Sequence, residues 1–381
     1  MDILSAPGVV LGFVVGTILP FMVVLLLVVF VHELGHYLVG RWCGIHAVAF
    51  SVGFGPEVLG YTDRRGTRWK LCAIPLGGYV RYLGDLNVAS APEGQEVLSR
   101  MTPEERRRSF PAAALWKRAA AVAAGPAFNF IFAIVIFATV FTLFGRERID
   151  PVVTGVAENS AAAEAGFEVG DVLVAADGDA IASFSALQRY VQPRGDVEIV
   201  FTVERDGREV DLVATPRRTE REDRFGNKMT VGLLGVSADR TPESVTLEEF
   251  GPVEALGLAL RETWFVVERT GGYLAGVVTG REKADQIGGP IRVAKVSGDV
   301  ATLGVTALVN LVALLSISIG LLNLLPVPIL DGGHLLFYAF EAVLGRPLSA
   351  QTQEWSFRVG LALILSLMVF ATWNDIATII G

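Results

Sequence analysis

The chain has 381 residues, 52% hydrophobic and 19% charged, with a formal net charge of −8 and a mean hydropathy of +0.49. That is too apolar for an ordinary soluble protein and requires several membrane spans plus a polar domain. Two cysteines, Cys43 and Cys72, exclude a disulfide framework and a cysteine-rich metal site; the basic residues are explained by membrane topology, which leaves nucleic-acid binding unsupported.

Residues 1–8 lack Lys and Arg, and the apolar run from about Val9 to Val31 is longer than a signal-peptide core, so the sequence predicts a first transmembrane helix. The run closes in LVVFVHELGHYLVG, Leu27 to Gly40, which carries His32, Glu33 and His36. Histidines four apart lie on one helical face, where both imidazoles can reach a single ion. Glu33 beside them can hold a metal-bound water and take its proton. Each ionisable group at membrane depth costs roughly 2.5–3.5 kcal/mol on insertion scales, so three on one helix argue for function rather than chance.

The segment from Arg41 to Arg118 is rich in Lys and Arg. The positive-inside rule makes it cytoplasmic, puts the N-terminus outside and sets the metal motif toward the cytoplasmic end of the first span. Ala47–Tyr61 and Arg68–Leu83 read as strands joined by the turn TDRRGT, a short membrane-associated hairpin beside the site. Residues 86–110 read as a polar loop, with Glu105–Arg108 as an interface anchor. A second span, Leu115 to Phe144, contains GPAFN, Gly125 to Asn129, where Asn129 serves either helix packing or a contact with the site or substrate.

From Asp150 to about Arg217, short alternating strands, Gly-Asp turns and one short helix describe a small α+β domain outside the cytoplasm. A charged loop with little regular structure is expected from Glu220 to Lys228. Val253–Gly280 is too charged to span; it reads as an amphipathic helix on the outer membrane face or as a soluble helical hairpin. Leu303–Leu325 is a third span. It ends in NLLPVPILDGGH, Asn323 to His334, where Pro326 and Pro328 break the helix and Asp331 falls in or beside the membrane. Phe357–Trp373 begins a fourth span that returns the C-terminus outside.

The expected fold is a polytopic α-helical membrane protein of about four spans with an inserted α+β domain. Its segments are an N-terminal membrane region, 1–148; the inserted domain, 149–217; an extracytoplasmic linker with amphipathic helices, 218–300; and a C-terminal membrane region, 301–381. Zinc takes tetrahedral N/O/S sites, and a catalytic site keeps one position for water. His32 and His36 supply two ligands; Asp331 is the best third, with His334 its competitor. His46 is read as an interfacial or hydrogen-bonded histidine.

HELGH at 32–36, GFGP at 53–56, PLGGYV at 75–80, GPAFN at 125–129 and NLLPVPILDGG at 323–333 together resemble the site-2 protease family of intramembrane zinc metalloproteases, in its bacterial regulator-of-sigma-E protease branch. The stretch AGFEVGDVLVAADG resembles a bacterial, permuted PDZ domain; only one such domain can be placed, where well-known members of the branch carry two. The resemblance implies one Zn2+ per chain held by His32, His36 and Asp331, with Glu33 catalytic. It implies cleavage in or near the transmembrane segment of a single-span protein, an anti-sigma factor or a remnant signal peptide. The setting would be regulated intramembrane proteolysis at the bacterial inner membrane, of the sigma-E stress-response type, with the PDZ-like domain binding peptide C-termini. Asn129, Asn323, Gly53 and Gly78 are the candidate substrate contacts. An inert peptide-binding scaffold is the alternative, against which the intact His, Glu, His and Asp set argues.

Overall fold

A helix can cross a bilayer because it satisfies every backbone polar group within itself. The computed structural model describes residues 12–85, 101–222, 228–239, 244–281, 284 and 288–380. Among these, four helices are long and apolar enough to cross: Val14–Trp42, Leu115–Phe144, Val305–Asn323 and Ala350–Thr378. The chain forms two compact units, Met1–Val140 with Ala255–Gly381, and Phe141–Glu254.

In the first unit a π-helical turn, Val14–Ile18, leads into α1 (Leu19–Trp42). Two long strands follow, β1 (Ala47–Thr62) and β2 (Arg68–Tyr82), and their register folds them into four short segments. Ala49–Val52 pairs on one side with Gly78–Arg81 and on the other with Arg68–Leu71, which in turn pairs with Leu59–Thr62. The sheet packs on α1 through Tyr37, Phe50, Val80 and Tyr82, all buried. Tyr82 also donates its hydroxyl to the His36 carbonyl at 2.6 Å, tying the last strand to the histidine helix.

Residues 86–100 of the expected polar loop lie outside the described residues, but Pro103–Arg107 is a helical turn, α2, rather than loop. A capping box explains it: Thr102 accepts from the Glu105 N–H, and the Glu105 carboxylate accepts from the Thr102 N–H. α3 (Leu115–Phe144) follows.

The second unit holds β3 (Arg146–Ile149), β4 (Gly155–Val156), α4 (Ala161–Ala165), β5 (Val172–Ala176), β6 (Asp179–Ala180), α5 (Phe184–Val191), β7 (Ile199–Arg205) and β8 (Arg208–Ala214). It continues through β9 (Arg217–Glu222), β10 (Lys228–Leu233), β11 (Val236–Ser237) and β12 (Val245–Glu248). Strands β6, β5, β7 and β8 make one antiparallel sheet around a core that includes Leu173, Phe201 and Val203. The expectation of an irregular stretch from Glu220 to Lys228 is corrected at both ends. β9 and β10 pair from Arg217–Leu233 to Glu222–Lys228, so the ends of that stretch are a two-stranded ribbon, while residues 223–227 lie outside the described residues. β11 pairs with β4 and β12 with β3, so strands near the end of the unit close on strands near its beginning.

Beyond it run α6 (Pro252–Val278), α7 (Pro290–Ala301), α8 (Val305–Asn323), α9 (Asp331–Leu344) and α10 (Ala350–Ile380). α6 is one continuous helix, which removes the hairpin alternative for this segment. α10 starts earlier than its most apolar stretch suggests, because Glu354 and Arg358 pair one turn apart on an exposed face.

Asp171 supplies the sharpest energetic test in the second unit. Its carboxylate is buried and meets Arg205 through Nε at 2.7 Å and Nη2 at 2.8 Å, while the Glu168 N–H donates to it at 2.9 Å. Burial opposes its charge, but these bonds outweigh burial and hold its pKa below the usual carboxylate value. A carboxylate with a depressed folded pKa adds stability above its unfolded pKa of about 3.9 and loses it as pH falls through the folded value. Arg205→Met, which strands the buried carboxylate, is expected to destabilise this unit by about 3 kcal/mol, read as faster hydrogen exchange across 141–254 in the full chain.

Candidate metal centre

Three helices and one sheet edge meet at the centre, each for a local reason. α1 brings His32, Glu33 and His36; His32 and Glu33 are only 9% and 8% exposed. α3 presents Ala121, Gly125 and Asn129, spaced four apart and therefore on one face. A Cβ at Gly125 would collide with His36 Nε2 and His32 Cε1, and one at Gly35 would collide with the Ala124 carbonyl. The two glycines thus permit α1 and α3 to approach closely enough for the histidines to sit between them. α9 begins at Asp331, after the proline-broken segment, so the carboxylate occupies the first turn, where the helix dipole favours a negative charge.

The hydrogen bonds set the ring orientations. His36 Nδ1 lies 2.9 Å from the Ala121 carbonyl and donates to it, leaving Nε2 free for a metal. His32 Nδ1 lies 3.3 Å from Asn129 Nδ2, and Asn129 Oδ1 is buried without a partner among the described residues. A half-turn of the amide puts Oδ1 on the His32 Nδ1–H, the orientation that a His32 offering Nε2 requires. Asn129 is itself held from the third span, whose Ser316 hydroxyl donates to its carbonyl at 2.9 Å.

The three free donor atoms then converge. His32 Nε2 and His36 Nε2 are 3.2 Å apart, and Asp331 Oδ2 is 3.1 Å from the first and 3.5 Å from the second. Asp331 Oδ2 is buried, and among the described residues it meets no polar partner besides these two ring nitrogens. Lone pairs that face one another at this distance repel unless a cation lies among them. Ligands at zinc's bond lengths of about 2.0–2.1 Å stand about 3.3 Å apart along a tetrahedral edge, so the donor set fits zinc. Among the described residues no further His, Cys, Asp or Glu joins the group, which leaves a position for water.

Glu33 stands beside this cluster but outside it. Its carboxylate faces the Val80 N–H at the edge of the sheet, and a Cβ on Gly78 would lie 2.9 Å from Glu33 Cγ. Of the other residues singled out in the sequence, Asn129 and Gly78 reach the centre. Gly53 is enclosed in the hairpin against the Ile74 and Cys72 carbonyls at a φ of +87°, and Asn323 donates to Ile319 of its own helix at 3.0 Å. His334 packs its ring on Phe357, 5.4 Å between centroids, and is not one of the converging donors. Sequence reasoning left out the Ala121 carbonyl and the Val80 N–H, because main-chain groups carry no residue signature. The collision role of Gly125 was detectable, from a small residue one turn before Asn129 and one turn after Ala121.

Metal content measured on purified variants separates these roles. Asp331→Asn and Gly125→Ala are expected to lose zinc, the first through its donor and the second through displaced imidazoles, whereas His334→Ala retains it. Asn129→Ala keeps a site but weakens it about 10–100-fold.

Residues 20–367 match the profile of peptidase family M50. The chain is 56% identical over 370 residues to a protein of Agrobacterium fabrum, covering 97% of this chain and 98% of that one. It is 52% identical to a protein of Rhizobium meliloti, covering 96% and 97%; both are provisionally named zinc metalloproteases. To Metalloprotease MmpA of Caulobacter vibrioides it is 42% identical, over 96% of each chain. With a donor set that fits zinc on an apolar, membrane-length helix, the chain belongs to peptidase family M50, the site-2 proteases, and is a zinc metalloendopeptidase that acts by intramembrane proteolysis.

Proposed function

We propose that the enzyme hydrolyses a peptide bond in or near the transmembrane segment of a single-span protein, with His32, His36 and Asp331 holding zinc and Glu33 acting as general base. The observation that carries this reading is the buried Asp331 oxygen facing two imidazole nitrogens, with the Glu33 carboxylate next to them at a sheet edge. Zinc supplies Lewis acidity and brings the pKa of a water it holds to about 7. Glu33 takes the water proton as the oxygen adds to the scissile carbonyl carbon, and delivers it to the amine nitrogen as the C–N bond breaks. Ala121 and Asn129 hold the two imidazoles in one tautomer throughout.

A transmembrane helix hides its peptide bonds in its own hydrogen bonds, so cleavage requires local unwinding. The edge at Gly78–Val80 supplies replacements: the Val80 N–H points out of the sheet toward Glu33, and Gly78, two residues back, shares that edge. In this reading Gly78 and Asn129 contact the substrate, and the lack of a side chain at Gly78 lets Glu33 and Val29 pack directly against the strand. Gly53 keeps the hairpin bulged rather than touching substrate, and Asn323 shapes the end of α8.

The finer assignment follows the motif resemblance. The protein acts in the regulator-of-sigma-E protease branch, on an anti-sigma factor or signal-peptide remnants, in the bacterial inner membrane with both termini extracytoplasmic. The unit 141–254 serves as a PDZ-like module that selects substrates by a free peptide terminus. Its four-stranded antiparallel sheet with α5 supports that role.

Two outcomes are expected. Glu33→Gln retains zinc and loses cleavage of a single-span substrate by at least about 100-fold, since an amide cannot take the proton; turnover near wild type would remove Glu33 from the mechanism. The same variant, trapped with its substrate and co-purified, identifies the protein cut. Tyr79→Pro, which stiffens the sheet edge beside Gly78, lowers cleavage more than it lowers metal content; equal loss of both would make the hairpin a structural support alone.

A further inference from the structure

A second polar site lies at the end of α1, built from three separate segments. Arg41 sits in the last turn of the first span, 2.6 Å from the Tyr37 hydroxyl to which it donates. Gly44, at a φ of +82°, turns the chain so that His46 follows immediately. The β1–β2 turn folds back onto this corner: Thr67 Oγ1 donates to the Ala47 carbonyl at 2.8 Å, and Gly66 packs beside the His46 ring. The end of the capped turn α2 closes the third side, where the Arg108 carbonyl accepts the His46 N–H at 2.9 Å. The result is a pocket of about 610 Å3 lined by Arg41, Arg64, Arg65 and Arg108 with His46 and Thr67, and, among the described residues, by no acidic one.

Among the described residues, none of the four arginines takes part in a salt bridge. Asp63 lies in the adjoining turn, and its oxygens are taken up by hydrogen bonds within that turn and its surroundings. Asp63 accepts the N–H groups of Arg65 and Thr67 at 2.8 and 3.0 Å, the Tyr37 hydroxyl at 3.3 Å and Trp69 Nε1 at 3.2 Å, and so holds the turn in shape. Burial, then Arg108, holds His46 below the ordinary histidine pKa against the pull of Asp63 and with the help of Arg41, so the charge of the pocket is that of its arginines. Topology asks for basic residues on one side of the membrane. It does not ask that four of them, from three segments, face one pocket.

The surroundings point to lipid. Trp42 closes the first span and is 73% exposed; Trp116 opens the second and is 64% exposed. The joined ends of consecutive spans lie on the same side of the membrane, so these indoles mark one interface. Arg41 is the residue before Trp42, which puts the pocket at headgroup depth. We propose that this pocket binds the phosphate of an anionic phospholipid headgroup. Guanidinium forks match phosphate oxygens, and basic pockets at a membrane interface hold such headgroups.

The test is lipid retention by the full chain in detergent, offered equal phosphatidylglycerol and phosphatidylcholine and read by native mass spectrometry. The wild type is expected to retain phosphatidylglycerol preferentially, and high salt to erase the preference. The triple variant Arg64→Gln, Arg65→Gln, Arg108→Gln, all at exposed positions, is expected to lose the preference by about tenfold with zinc content unchanged, while the corresponding triple lysine variant keeps most of it. No preference in the wild type, or an undiminished one in the glutamine variant, overturns the proposal. If inorganic phosphate displaces the lipid and raises Tm as much, the pocket takes a free anion and the lipid assignment fails. Should the triple variant lose zinc, the comparison passes to Arg65→Gln alone, where an undiminished preference likewise overturns it.

Discussion

Polar side chains within an apolar helix bundle are stable only where other polar groups meet them, and that requirement organises the membrane unit. His32 and His36 on α1 have side chains that are mostly buried. One ring is tied to a carbonyl of α3, the other to an amide of α3, and both free nitrogens turn to a carboxylate of α9. Three helices distant in sequence are thereby fixed around one point. Asn129 extends the linkage, since its carbonyl takes the Ser316 hydroxyl from α8 and its Cβ packs at Gly320. The catalytic centre and the tertiary fold of the bundle rest on the same contacts.

The same economy appears away from the centre. Asp375 is a charged residue in the fourth span, and it is buried because it caps α7. Its two oxygens accept the N–H groups of Gly289 and Arg292 at 2.9 Å each. Those are groups that a helix N-terminus leaves unpaired. Arg118, at the start of α3, meets Glu341 of α9 through two hydrogen bonds of 2.6 and 3.2 Å and lies over the Tyr338 ring. A forked pair of this kind fixes direction as well as distance. It anchors the far end of α9, and so helps to aim the carboxylate at its near end.

The sheet solves a different problem. In the proposed mechanism an unwound substrate segment pairs with a strand edge, and such an edge at membrane depth is tolerated only where protein covers it. Here Phe50 packs against Tyr37 and Trp69, and Tyr82 bonds to the His36 carbonyl, so the sheet is fastened to the helix that carries the histidines. The Gly78–Val80 edge is therefore positioned relative to Glu33 by packing around a shared core.

The sequence by itself determined the elements whose signal is local. Four apolar runs of spanning length, a turn between two β-rich stretches, proline breaks before Asp331 and histidines one turn apart are each written in neighbouring residues, and the family follows from those motifs. It also ranked Asp331 ahead of His334 as the third donor, from the proline-broken end of the third span. Tertiary structure shows what each of the two meets. They lie one turn apart on α9, and the choice depends on which of them meets α1 and which packs on the Phe357 ring of α10. The extent of the inserted unit was hidden for a similar reason. β11 and β12 are only two and four residues long, and they become strands by pairing with β4 and β3 some eighty to a hundred residues earlier. Local composition registers propensity, whereas pairing across the chain is set by where the backbone returns, and that is decided in three dimensions.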